Sequence, residues 1–159
     1  IRAFSILKKR YPEATLTVAG SGSEENRLRD LAAGIGGGGV RFVGALGPPQ
    51  MPALYDDADI FMNASAVDNQ PVSVLEAFAA GLPVVSTATG DLANIIRHRT
   101  TGLLVPPADP EAMAGAASYF LGNPNRARFI ARAARKEAEK YSWESVRESW
   151  LAVYTGGAA

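Results

Sequence analysis

Asp68 and Glu76 stand with seven residues between them, Pro71 among these, and the run continues Val72-Ser73-Val74-Leu75 before Glu76 and closes at Gly81-Leu82-Pro83. Pro71 suits the first position of a helix, where its missing N–H is no loss, and Gly81 followed by Pro83 suits the helix end. On that reading the N–H groups of Val72, Ser73 and Val74 emerge free from the helix start, which makes the start an anion site. Glu76 falls about one and a half turns into the helix, and helical side chains lean toward the N-terminus, so its carboxylate reaches back toward the same ligand. Asp68 precedes the helix on the same side. Ionised carboxylates accept hydrogen bonds from vicinal hydroxyls, so the expected ligand carries both phosphate and diol, as a nucleotide-sugar does. The plainer alternative makes Asp68 a capping residue and Glu76 a surface glutamate gaining from the helix dipole.

A second loop, Val18-Ala19-Gly20-Ser21-Gly22-Ser23-Glu24-Glu25, resembles a dinucleotide fingerprint only in outline. Glu25 occupies the place of the third glycine and Glu24 adjoins it, which puts two carboxylates where a pyrophosphate needs positive potential. Gly20 and Gly22 fit better as tight-turning backbone that comes close to a ligand.

These loops need elements to hold them. Short apolar, β-branched runs without a period of two mark buried parallel strands at Thr15 to Ala19, Val40 to Val43, Asp59 to Asn63, Pro83 to Thr87 and Gly102 to Val105. Amphipathic segments of helical length lie between them, so the expected fold is a doubly wound α/β layer. Ligands then sit beyond the carboxyl ends of the strands, where both loops fall. The chain opens inside a helix, with Ile1, Phe4, Ile6 and Leu7 opposite Lys8, Lys9 and Arg10. Such a helix is normally a right-handed crossover from an earlier strand beside Thr15 to Ala19. The first strand is therefore expected upstream, leaving a defect between Thr15 to Ala19 and Asp59 to Asn63. After Val105 come three helices, roughly Pro110 to Leu121, Arg126 to Lys140 and Trp143 to Tyr154, the last capped by Ser142. Gly36 to Gly39 reads as a flexible connector.

Composition narrows the classes. The chain has 159 residues and 16.7 kDa, enough for one domain spanning 1–159. Hydrophobic residues make up 47%, which excludes a disordered chain, and 16 basic against 16 acidic residues argue against nucleic acid as a partner. A local basic patch can still hide in a zero sum. The absence of cysteine and the single histidine exclude disulfides, thiolate or multi-His metal sites and Cys nucleophiles. No apolar run reaches the roughly 18 residues of a membrane span, and no signal peptide opens the chain, so a soluble, cytoplasmic domain is expected. His98, in Arg97-His98-Arg99, reads as part of a polar turn. Arg128, Arg132, Arg135 and Lys136 form one face of a helix against Phe129, Ile130, Ala133 and Ala134; that face reads as solvated, with contact to anionic lipid or to a further domain as the alternative. Trp143, Trp150 and Tyr154 recur at helical spacing and read as core or interdomain packing rather than a sugar platform.

The run from Asp68 to Thr87, with two acidic residues separated by seven others, an Ala-rich helix and Gly81-Leu82-Pro83-Val84-Val85, resembles the donor-site signature of retaining glycosyltransferases of family 4, the glycosyl transferases group 1. The likeness continues in order through Leu16 to Gly22, Val40 to Gly44, Leu54 to Asp59, Thr101 to Pro110 and Tyr141-Ser142-Trp143. It implies a Rossmann-like domain, the C-terminal half of a GT-B enzyme, lacking its first strand. By that resemblance Asp68 meets hydroxyls of the donor sugar and Glu76 the ribose hydroxyls, both as positioning groups rather than nucleophiles. Gln70, Pro71, Val72 and Ser73 face sugar and diphosphate, and Val43, Gly44 and Leu54 border the base. The donor would be a nucleotide-diphosphate-sugar, with no metal and no other cofactor, its phosphates held by amides and by an Arg and a Lys upstream of Ile1. The acceptor, a sugar, lipid or other hydroxyl compound, would bind a missing N-terminal domain, and the chain alone would not turn over. Asp68 stands where Glu is commoner, and Asp91 follows Gly90 where a second glycine is usual, so Asp91 is expected to crowd the phosphate. A GT-B epimerase or glycogen-synthase-like enzyme, and a non-catalytic interaction module, are the alternative readings.

Overall fold

The computed structural model describes residues 1–36 and 38–156, so Gly37 of the glycine run lies outside the described residues. Five strands alternate with eight helices among them: α1 (Arg2–Arg10), β1 (Leu16–Ala19), α2 (Glu25–Ala33), β2 (Val40–Gly44), α3 (Met51–Asp56), β3 (Phe61–Asn63), α4 (Val72–Ala80), β4 (Val84–Thr87), α5 (Leu92–Ile95), β5 (Leu103–Val105), α6 (Pro110–Gly122), α7 (Pro124–Ala138) and α8 (Trp143–Thr155). All pairings are parallel, β1 with β2 and β4 between β3 and β5. The expected α/β class therefore holds, with β1, β3, β4 and β5 one or two residues shorter at their starts and β2 extended by Gly44 at its end.

Parallel strands buried on both faces send alternate side chains to opposite layers. Val84 and Leu104 pack with Val74, Phe78 and Ile96 toward α4 and α5. Val85, Leu103 and Val105 pack instead with Met113, Phe120 and Ile130 toward α6 and α7. Helices thus cover both sides of the β3-β4-β5 sheet. The two sheets, β1-β2 and β3-β4-β5, are not hydrogen-bonded to each other. This is the defect expected between β1 and β3. What joins the sheets is α1, whose Phe4 and Leu7 sit in one apolar cluster with Leu16, Val40, Ile60 and Met62.

Four expectations are corrected. Pro71 is the residue before α4 rather than its first member, with extended backbone at ψ 114, and the Val74 N–H is not free because it bonds to the Pro71 carbonyl at 3.0 Å. The second of the three closing helices, α7, begins at Pro124 rather than Arg126, because proline is favoured at that first position. Phe129 is 60% exposed rather than buried with Ile130 and Ala134, since α7 packs along a narrower stripe than a half-and-half division implies. Trp143, Trp150 and Tyr154 are not core: Trp143 is 60% exposed, and Trp150 and Tyr154 stack on each other at 6.0 Å in a helix without a buried residue. The Ser142 cap is as expected, its hydroxyl accepting from the Ser145 N–H. None of the helices among the described residues is long and apolar enough to cross a membrane.

Candidate functional site

The carboxyl ends of the strands carry the loops expected to hold a ligand. After β1, the Gly20 N–H donates to the Gly44 carbonyl at 2.7 Å, which ties this turn to the end of β2. Gly20 has φ +119 and Gly44 φ +71, conformations that suit glycine. Gly22 has open space where a Cβ would stand. Val43 and Leu54 are half-buried nearby in sequence, on β2 and α3. Glu24 and Glu25 are bound along their own helix to Arg27 and Arg29.

Glu76 lies on the second turn of α4, half-buried, and its Oε2 accepts a hydrogen bond from the Tyr55 hydroxyl at 2.8 Å. Tyr55 is only 6% exposed and packs against Phe61 with the rings tilted at 58°, so α3 presents a fixed donor that aims the carboxylate. Burial first, and then the bond to the Glu76 carboxylate, push the Tyr55 phenol well above its ordinary value of 10.0. A raised folded-state value means the stabilisation is fully present below about pH 10 and is lost as pH rises above it, where the unfolded phenol ionises first. Tyr55→Phe is expected to destabilise the fold by about 1–2 kcal/mol at neutral pH and to flatten the alkaline fall in stability. Denaturant unfolding at pH 7 and pH 10.5 measures both; an unchanged alkaline slope would assign that fall to other groups.

Asp68 is reached by a different route. The loop after β3 is fastened to the end of β4 by Thr87 Oγ1, which donates to the Ser65 carbonyl at 2.7 Å, with Thr89 Oγ1 on the same carbonyl at 3.2 Å. Ser65 Oγ lies 2.8 Å from Asn63 Oδ1 and 3.2 Å from Asp68 Oδ2. The loop then passes against Gly90, where a built Cβ would meet the Asp68 carbonyl oxygen at 1.8 Å. Asp91 turns its carboxylate along α5, accepting from the Asn94 amide, rather than standing unpartnered in the turn. Gln70 and Val72 are exposed, and Pro71 and Ser73 half-buried.

The site thus resolves into two anchored carboxylates, one before α4 and one on its second turn. Asp68 is anchored through Ser65 and Glu76 through Tyr55, with no hydrogen bond joining the two anchors among the described residues. Each carboxylate keeps lone pairs beyond its one anchoring bond and can accept from further hydroxyls. The cleft of about 620 Å³ is elsewhere, lined by Ile6 and Arg10 of α1 and by Glu111, Ala114, Gly115, Ser118 and Tyr119 of α6. Tyr55, Ser65, Thr87 and Gly90 are the positioning residues that spacing did not reveal. Tyr55 lies 21 residues from its partner, and no local pattern marks that pair. His98 is structural: its Nδ1 accepts from the Leu104 N–H at 3.0 Å, closing the turn before β5.

A family model described as glycosyl transferases group 1 matches residues 1–123. An uncharacterized glycosyltransferase of Methanocaldococcus jannaschii is 33% identical over 159 residues, covering 97% of this chain and 40% of its own length. The sucrose-phosphate synthase of Thermosynechococcus elongatus superposes with a TM-score of 0.88 at 27% identity, over 98% of this chain and 41% of that one. The UDP-glucose complex of HepE from Anabaena gives a TM-score of 0.88 at 18% identity, over 97% and 44%, a likeness of fold. The chain spans about two-fifths of the length of these relatives.

Proposed function

The chain belongs to the glycosyl transferases group 1 family, and from that premise we propose that it is the donor-binding half of a retaining GT-B transferase that moves a sugar from a nucleotide-sugar to a hydroxyl acceptor. The observation that carries the reading is the hydroxyl of the buried Tyr55 holding Glu76 on the second turn of α4, the helix that follows strand β3 of a parallel sheet. A carboxylate already oriented by one donor has lone pairs left for two vicinal hydroxyls, the group a ribose presents. The Val72 and Ser73 amides supply positive potential for a diphosphate without a metal, and Asp68, one methylene shorter than glutamate, meets a sugar hydroxyl. Gly20, Gly22, Gly44 and the Val43 backbone border the base with Leu54, and Gln70 and Pro71 border the sugar. The complex of HepE with UDP-glucose is a precedent for such a donor on this fold.

On this reading the residues here position the donor and stabilise the leaving diphosphate, and a second domain brings the acceptor and excludes water. The enzyme is cytoplasmic, and its acceptor is a sugar, a lipid headgroup or another hydroxyl compound. Titration of the chain with UDP, GDP, ADP and UDP-glucose, read by two-dimensional NMR, tests it. Saturable shifts near α4 with one nucleotide are expected even at a dissociation constant of about 1 mM, roughly −4 kcal/mol. The chain by itself is expected to transfer no sugar. Measurable turnover by the purified chain would overturn the two-domain reading, and absence of binding by the whole enzyme would overturn the donor site.

A further inference from the structure

Arg128, Arg132 and Arg135 recur on α7 at spacings of four and three residues, which places them on one face of the helix. With Ala80, Gly81 and Ala131 they line a cleft of about 230 Å³ at the C-terminal end of α4. The small side chains leave the space open, and no carboxylate is among the lining residues. Arg27, Arg29, Arg41 and Arg97 each face a carboxylate within 4.0 Å, at Glu24, Glu25, Asp57 and Glu137. Among the described residues none of the three cleft arginines is so paired, nor are Arg2, Arg10, Arg99, Arg126 and Arg147; what sets the three apart is that they converge on one cleft. Arg128 donates to the neutral Asn125 Oδ1 at 2.6 Å, and Glu139, a turn beyond Arg135, forms no ion pair with it.

Three like charges on neighbouring turns repel one another. The carbonyl end of α4, which closes at Gly81 in the left-handed conformation, offsets only part of that charge, since a helix end carries about half a negative charge. A bound anion would offset the rest. Guanidinium groups match phosphate oxygens in planar, two-point geometry, and a cleft this small fits one phosphate-sized group rather than a whole nucleotide. The cleft also lies at the other end of α4 from Val72 and Ser73, about 13 Å along a nine-residue helix, so it is not the candidate donor site.

We propose that the cleft between the end of α4 and α7 is a phosphate-binding site, in which Arg128, Arg132 and Arg135 grip the phosphate of an ester. The phosphate arrives either on a free phosphate ester or on the headgroup of an anionic phospholipid. The exposed Phe129 and Lys136 beside the stripe are compatible with the second source. The test titrates the full chain with glycerol 3-phosphate, following the arginine side-chain N–H resonances, and in parallel sediments it with vesicles of phosphatidylcholine with or without phosphatidylglycerol. Saturable shifts at the three arginines, weakened at least tenfold in Arg132→Gln/Arg135→Gln and untouched in Arg27→Gln/Arg29→Gln, are expected for a free ester. Sedimentation with the anionic vesicles only, lost in the cleft variant alone, assigns the lipid source. Both arginine pairs are exposed and glutamine is a good helix former, so circular dichroism should show the variants folded. Binding of neither probe, or binding that the two double variants weaken equally, overturns the proposal.

Discussion

Glu76→Gln is expected to weaken nucleotide-sugar binding by about 10- to 150-fold while leaving the fold nearly intact. The size follows from the difference between charged and neutral acceptors: a hydrogen bond to an ionised group contributes about 1.5–3 kcal/mol, roughly twice a neutral one, and a ribose would form two. The fold is spared because the glutamine carbonyl still accepts from the Tyr55 hydroxyl, so the 2.8 Å contact to α3 survives. Glu76→Asp separates charge from reach. It keeps the ionised group but withdraws it by a methylene, and it is expected to lose both the donor and part of the Tyr55 contact. Calorimetric titration with the nucleotide that binds the wild-type chain, alongside thermal unfolding, reads both properties. A Glu76→Gln variant that binds as tightly as the wild type would remove Glu76 from the site and leave its bond to Tyr55 as its whole role.

That separation also shows how far the residues could be read before the fold was known. The strands were legible because Val84-Val85 and Leu103-Leu104-Val105 are apolar on both faces, and only a doubly covered parallel sheet tolerates that. The placement of Asp68 and Glu76 was legible because one precedes and the other lies within a single helix, and helical spacing is a local property. What holds them was not. Tyr55 to Glu76, Thr87 to the Ser65 carbonyl and Gly90 against Asp68 all bridge separate elements, at sequence separations of 21 and 22 residues for the two hydrogen bonds. Periodicity carries no information at that range. The aromatic residues of α8 mark the opposite limit: Trp143, Trp150 and Tyr154 fall at core-like spacing yet stand exposed, because spacing reports that a helix has an apolar face and not what covers it. The sheets β1-β2 and β3-β4-β5 are bridged by apolar packing from α1, a contact between separate elements that local spacing does not report.

Gly90→Ala is expected to lower the unfolding midpoint by roughly 4–12 °C and to abolish donor binding, a larger effect than its one methyl group suggests. Two costs add. Gly90 sits at φ +53, where an alanine is strained by about 1–2 kcal/mol. Its Cβ would also stand 1.8 Å from the Asp68 carbonyl oxygen and 3.1 Å from Asn69 Oδ1, and the first contact is with backbone, which cannot rotate aside. The Asp68 loop must move, against the Thr87 and Thr89 bonds that fasten Ser65. Together these give about 2–3 kcal/mol, and about 1 kcal/mol moves the midpoint 2–4 °C in a domain of this size. Gly81→Ala isolates the first cost, because Gly81 has φ +78 but nothing within 4 Å of its Cβ. It is expected to lose only about 1–2 kcal/mol and to keep the donor site. The comparison turns on the loop rather than on stability alone. If both variants lose the same stability and both bind donor as the wild type does, the Asp68 loop is free to shift without consequence, and Asp68 is then not held in place for a ligand.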